Sequence, residues 1–155
     1  MATKTLSKSH SSFISHSMKQ YSRYLLEAIV DFSRTGTTTL AVNDVLQAVA
    51  IPANCRVNAV VCNVLTVEGA ARNYAVMDGA AAYDPANCYI STTTANTLGA
   101  THSAIVLSAD ATPVVVGLTT GKFFTAAGTV NVQAVTAGGL TTCKLKITVD
   151  VTDYN

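Results

Sequence analysis

The sequence predicts an all-β protein: an antiparallel β-sandwich of about eight strands, a number that suits a jelly roll. Three observations carry this. Apolar residues recur with period two or in continuous β-branched runs, Gly, Pro, Asn and Asp break those runs at short intervals, and no stretch sustains a long 3.6-residue period. A chain of 155 residues fits one domain, and folding at this size buries roughly 70% of the unfolded surface, enough for a core without staples. No repeat of solenoid or propeller length is present. An immunoglobulin-like sandwich is the next alternative, weakened by the absence of tryptophan.

Residues 1–22 carry seven serines, scattered lysines and two histidines without a sustained period of either kind. This reads as an extended arm preceding a sandwich domain of residues 23–155. Such a segment buries too little apolar surface to offset its ordering entropy and waits for a partner surface. From Tyr24 to Phe32 alternate residues are apolar, with Glu27 and Asp31 on the opposite parity, which predicts a strand with one wet face. A helix with Leu25, Ile29 and Phe32 on one stripe competes, but Ser33 to Gly36 end the pattern too soon.

Asp44 to Val67 reads as a hairpin, two strands joined by Pro52-Ala53-Asn54. Its second run, Val57 to Val67, is apolar on both parities, so both faces are expected to be buried. One face meets the opposite sheet. The other, carried by Val60, Cys62 and Val64, is expected to meet a neighbouring subunit. Arg72 to Met77 is a further strand ending at the turn Asp78-Gly79, and Ala80 to Leu98 reads as a long loop. The remaining strands are expected at His102–Ser108, Val114–Leu118, Thr129–Val135 and Thr142–Val151. In the last, Cys143, Leu145, Ile147, Val149 and Val151 alternate with Thr142, Lys144, Lys146, Thr148 and Asp150. A one-residue slip there would put three charges into the core.

The composition is 49% hydrophobic and 12% charged, with a net charge of +1. Residues 1–34 hold five basic groups against two acids, and the rest five against seven. A basic arm on a mildly acidic body offers no basic, aromatic-interleaved face for nucleic acid. No segment approaches the ~20 apolar residues of a membrane span, and residues 1–22 hold no apolar run of signal-peptide length. The four cysteines, Cys55, Cys62, Cys88 and Cys143, read as free buried thiols of a protein made in a reducing cytoplasm.

Chemistry is sparse. Cys55 and Cys62 are seven apart, too far for a zinc loop. His102 is the sole histidine of the body, beside Ser103, with no partner set for a nucleophile. Asp78, Asp84 and Asn87 supply oxygen ligands at no standard calcium spacing and read as turn residues. No catalytic residue, metal or cofactor is expected.

The runs LLEAIVDFS, NDVLQAVAIPANCRV, NVLTVEGAARNYAVMDGAAAYDP, TGKFFTAAGTVNVQAV and KLKITVDV span roughly residues 25–151. In order and spacing they resemble small tailed-bacteriophage virion proteins of the head decoration, or cement, type. The resemblance implies a non-enzymatic jelly-roll protein bound as a homotrimer to the outer surface of a phage capsid. There it stabilises capsomer junctions and touches the major capsid protein. Asn54-Cys55 and the longer basic arm depart from the family's pattern and bear on the mode of attachment. On this reading Lys4, Lys8, His10, Phe13, His16 and Lys19 dock the arm on the capsid. The alternative is a receptor- or carbohydrate-binding module of a head or tail fibre, with residues 80–101 as its recognition loop.

Overall fold

Two sheets face each other across one core. The computed structural model describes residues 3–5, 22–34, 39–79, 88–103 and 122–154. Among them are ten strands and no helix: β1 (Thr3–Thr5), β2 (Ser22–Asp31), β3 (Val45–Ile51), β4 (Cys55–Thr66), β5 (Asn73–Asp78), β6 (Cys88–Thr94), β7 (Thr101–Ser103), β8 (Lys122–Phe124), β9 (Gly128–Ala134) and β10 (Lys144–Asp153). The first sheet has the order β1-β3-β9-β5-β6, and the second β2-β10-β4-β7, with β8 also paired to β4. Pairing is antiparallel except between β1 and β3. Setting aside the short β1 and β8, two four-stranded sheets remain, and the chain crosses between them at almost every connection. This is the jelly-roll arrangement.

The alternation read from β10 sets the core. Cys143, Leu145, Ile147, Val149 and Val151 are all buried, while Lys144, Lys146, Thr148 and Asp150 point outward. Opposite them lie Leu46, Val49 and Ile51 of β3, Tyr74 and Val76 of β5, and Val130 and Val132 of β9. A link at Leu40–Leu140 joins the segments that lead into β3 and β10, each N–H donating to the other carbonyl at 2.9 and 2.8 Å. Gly139 makes the approach possible. Its φ is +66°, and a Cβ there would lie 1.9 Å from the Leu40 carbonyl oxygen.

The structure corrects several expectations. β3 and β4 do not pair, because they lie in different sheets. Pro52–Asn54 is an arch over the core, with Asn54 at φ 55° turning the chain. A hairpin and an arch share one sequence pattern, since both join two apolar strands by a short turn. The stretch read as a loop contains β6, and β8 was not anticipated. Thr3–Thr5, within the expected arm, is an edge strand parallel to β3, with Lys4 opposite Leu46. The expected strand Val114–Leu118 and residues 104–108 lie outside the described residues.

Burial on both faces occurs, but in the other sheet. On β5, Tyr74 and Val76 face the main core while Ala75 and Met77 join Val45 and Cys88 in a second buried cluster. β9 alternates likewise, with Asn131 and Gln133 buried on this second side. These amides tie down turns: Asn131 Nδ2 donates to the Gly79 carbonyl, and Gln133 Nε2 to that of Asn43 at 3.1 Å.

Candidate assembly surface

The residues expected to form a subunit interface are core residues. Val60, Cys62 and Val64 are each 0% exposed within the single chain, so they have no surface to offer a partner. The cause is a β-bulge. Asp150 of β10 stands opposite Ala59 and Val151 opposite Val57, which leaves Asn58 as an extra residue. The bulge switches parity, so Cys55 and Val57 before it and Val60, Cys62 and Val64 after it all point inward. The other face of β4 carries Arg56, Asn58, Val61 and Asn63, which is a largely polar face rather than a second apolar one. Of the proposed docking arm, Lys4 lies in β1, and Lys8, His10, Phe13, His16 and Lys19 lie outside the described residues.

The chemically versatile side chains are in structural roles. His102 Nδ1 lies 3.1 Å from the Thr93 hydroxyl, and its ring meets Tyr74 edge-on at 6.2 Å. All four cysteines are buried, and none is in a disulfide. Burial pushes the Cys62 thiol up to about 12 and raises those of Cys55 and Cys143, so these three are not ready nucleophiles. Asp78 is ion-paired with Lys122, while Asp84 and Asn87 lie outside the described residues. Among the described residues no three His, Cys, Asp or Glu side chains converge to hold a metal.

A buried carboxylate, Glu68, has no mark in the local sequence pattern. Glu68 is 5% exposed. Its Oε2 accepts from the backbone N–H groups of Thr141, Thr142 and Cys143 at 2.9, 3.0 and 3.1 Å. Its Oε1 accepts the hydroxyls of Thr141 and Thr142 at 2.6 and 2.9 Å. Burial by itself would raise this carboxyl; the donors outweigh it, led by the Thr141 hydroxyl, and hold it at about 2. The only prior signal was an acid beside a glycine ahead of a Thr-Thr pair far along the chain, which has no local periodicity.

The outer face of the β2-β10-β4 sheet carries organised chemistry. Three ion pairs bind β2 to β10. The Arg23 Nε donates to both carboxylate oxygens of Asp150 at 2.9 Å, Lys146 meets Glu27 at 2.8 Å, and Lys144 meets Asp31 at 2.9 Å. Asn58 bridges Asp150 and Thr152 at 3.3 and 2.9 Å. Bonds from Ser33, then Lys144, lower the Asp31 carboxyl to about 2, while Lys146 lowers Glu27 and Arg23 lowers Asp150.

Between these charges stand exposed apolar side chains. Leu25 and Ile29 of β2 are 61% and 58% exposed, and Leu65 is also open to solvent. At the β8 corner Phe123 and Tyr154, both exposed, meet edge-on with centroids 5.5 Å apart. Leu25 and Ile29 share the parity of Glu27 and Asp31, which the sequence reading assigned to water. The legible signal was two large aliphatics on that wet face.

Two solved structures share this fold. Over 98% of this chain and 98% of the other, it superposes on a chain of the capsid of Ralstonia phage GP4, with a TM-score of 0.56 and 14% identity. Over 89% and 94%, it superposes on a chain of the acidic stable capsid structure of Helicobacter pylori bacteriophage KHP30, with a TM-score of 0.53 and 17% identity. No protein-family profile and no curated protein matches the sequence. At these identities the likeness is one of fold.

Proposed function

We propose that this chain is a non-enzymatic structural protein of a bacteriophage virion that decorates or cements the head from outside as a homotrimer. The carrying observation is that the fold likeness to chains of two phage capsids runs through 98% and 89% of this chain, so it takes in nearly the whole sandwich. The structural roles of His102 and the buried thiols accord with a protein whose product is contact area. Four buried cysteines without a disulfide accord with synthesis in the host cytoplasm.

In mechanism, a trimer straddles the junctions between capsomers and adds buried area across their seams. Many identical weak contacts sum through effective concentration into a firm clamp. The Phe123–Tyr154 corner, with Arg56 opposite Phe123 on β4, suits the shell-facing role: aromatic and Arg side chains are enriched at interface centres. The arm of residues 1–22, with Lys8, His10, Phe13, His16 and Lys19 beyond β1, reaches the major capsid protein. The fibre reading loses ground because Cys88–Thr94 is a strand and Tyr89 is 4% exposed in the core, out of reach of a sugar.

Quantitative gels of purified virions test the proposal. A copy number comparable with that of the major capsid subunit is expected, and one comparable with tail fibres would overturn it. Light scattering of the isolated protein tests the trimer, which a strictly monomeric mass at high concentration would exclude.

A further inference from the structure

We propose that β2 is a self-pairing edge, joining two copies of this chain antiparallel about a two-fold axis centred on Glu27. Edge strands invite pairing unless they are short, bulged, or interrupted by Pro, Lys or an inward charge. Every other described edge carries such a guard. β1, β7 and β8 are three residues each, and β6 shifts register twice against β5. β2 is ten residues long, contains no Pro, Gly or Lys, and runs against β10 without a single shift, and its three charges, Arg23, Glu27 and Asp31, are each paired to β10.

The polarity of its backbone is set by its partner. Phe32 N–H donates to the Cys143 carbonyl at 3.0 Å, so the even-numbered residues bond to β10. The odd-numbered residues Arg23, Leu25, Glu27, Ile29 and Asp31 therefore direct N–H and C=O to the edge that no described strand covers. Their side chains lie on the outer face, where Leu25 and Ile29 are exposed.

Self-complementarity picks both the occupant and the register. With Glu27 opposite Glu27 of the second copy, Leu25 meets Ile29 twice, Arg23 meets Asp31 twice, and these odd-to-odd pairs supply about ten backbone hydrogen bonds. Sliding by two residues in either direction sets Leu25 or Ile29 against a carboxylate or guanidinium. The one like-charge meeting, at Glu27, is offset because each carboxylate already pairs with Lys146 of its own chain. Arg23 and Asp31 likewise keep Asp150 and Lys144, so their meeting selects register while the apolar pairs and backbone bonds carry the association. The pairing extends one four-stranded sheet into eight, and it requires neither a trimer nor a capsid.

Single cysteines in the full chain test the register. Across the axis the Glu27 Cα atoms stand about 5.5 Å apart, within disulfide reach, whereas Leu25 and its copy are offset by four residues, roughly 13 Å. Glu27→Cys is expected to form a disulfide-linked dimer with oxidised glutathione, and Leu25→Cys none. Sedimentation equilibrium supplies the second reading. Ile29→Lys disrupts two apolar pairs and should weaken dimerisation about tenfold, and Glu27→Gln should strengthen it. Absence of a Glu27→Cys dimer, equal cross-linking of Leu25→Cys, or an Ile29→Lys association equal to the parent's would overturn the proposal. Because the cross-link reads the β2 edge alone, the trimer and head-binding readings stand or fall separately.

Discussion

Replacing Glu68 with Gln should remove a specific part of this protein's acid sensitivity. The carboxyl moves from an ordinary 4.5 to about 2 on folding, and each unit is worth about 1.4 kcal/mol, so ionised Glu68 contributes about 3 kcal/mol at pH 7. Its pKa is depressed in the folded state. The contribution is therefore present above the unfolded value and drains away as pH falls from 4.5 toward 2, where under about 0.5 kcal/mol is left. Gln keeps the shape of the protonated acid, and its single oxygen can still accept from the backbone N–H groups. The assay is urea unfolding of parent and variant at pH 7, 4.5, 3 and 2. The stability difference between them should shrink by about 3 kcal/mol across the series. Glu27, Asp31 and Asp150 titrate in both proteins and cancel from that difference. Parallel pH profiles would show that the five donors around Glu68 do not hold it ionised, and the reasoning would fail.

Other expectations can be checked on the same material. Gly139→Ala forces a Cβ against the Leu40 carbonyl at positive φ, and should lower stability by at least about 1 kcal/mol in thermal unfolding. Ile147→Ala, fully buried at the centre of β10, should cost about 2–5 kcal/mol in denaturant unfolding. Asp31→Asn breaks an exposed pair with Lys144 and should change stability by less than about 1 kcal/mol, with the difference fading in high salt. The four buried thiols should resist a thiol-specific chromophore in the native protein and all react after denaturation, which absorbance reads directly.

What was legible in the sequence is what local pattern records. Strict alternation placed β2 and β10, and β-branched runs placed β3, β4 and β9, because side-chain period and steric fit act within a strand. Which strands pair is not local. The arch at Pro52–Asn54 reads like a hairpin because the turn residues are the same whether the chain doubles back or crosses the core. The bulge at Asn58 was invisible for a related reason. An extra residue is defined by the partner strand, and without β10 the run from Val57 looks apolar on both sides. Glu68 illustrates the third limit, since its donors lie more than seventy residues away. The candidate surface was legible in part, as Leu25 and Ile29 stood in plain view on a parity otherwise occupied by acids.

The position of β10 in its sheet has a consequence for how the chain is made. It is the last of the described strands to be synthesised, yet it lies between β2 and β4 and supplies the middle of the core. Until it emerges from the ribosome, β2 and β4 have no common neighbour, and the other sheet has little to close upon. Folding of the sandwich must wait for β10, whose contacts with β2 span more than a hundred positions, the regime of slow folding. A nascent chain thus spends its synthesis with apolar strand edges open in a crowded cell, where pairing with a sibling competes with folding. Removing β10 would leave no smaller sandwich behind, because what it deletes is the seam rather than the hem.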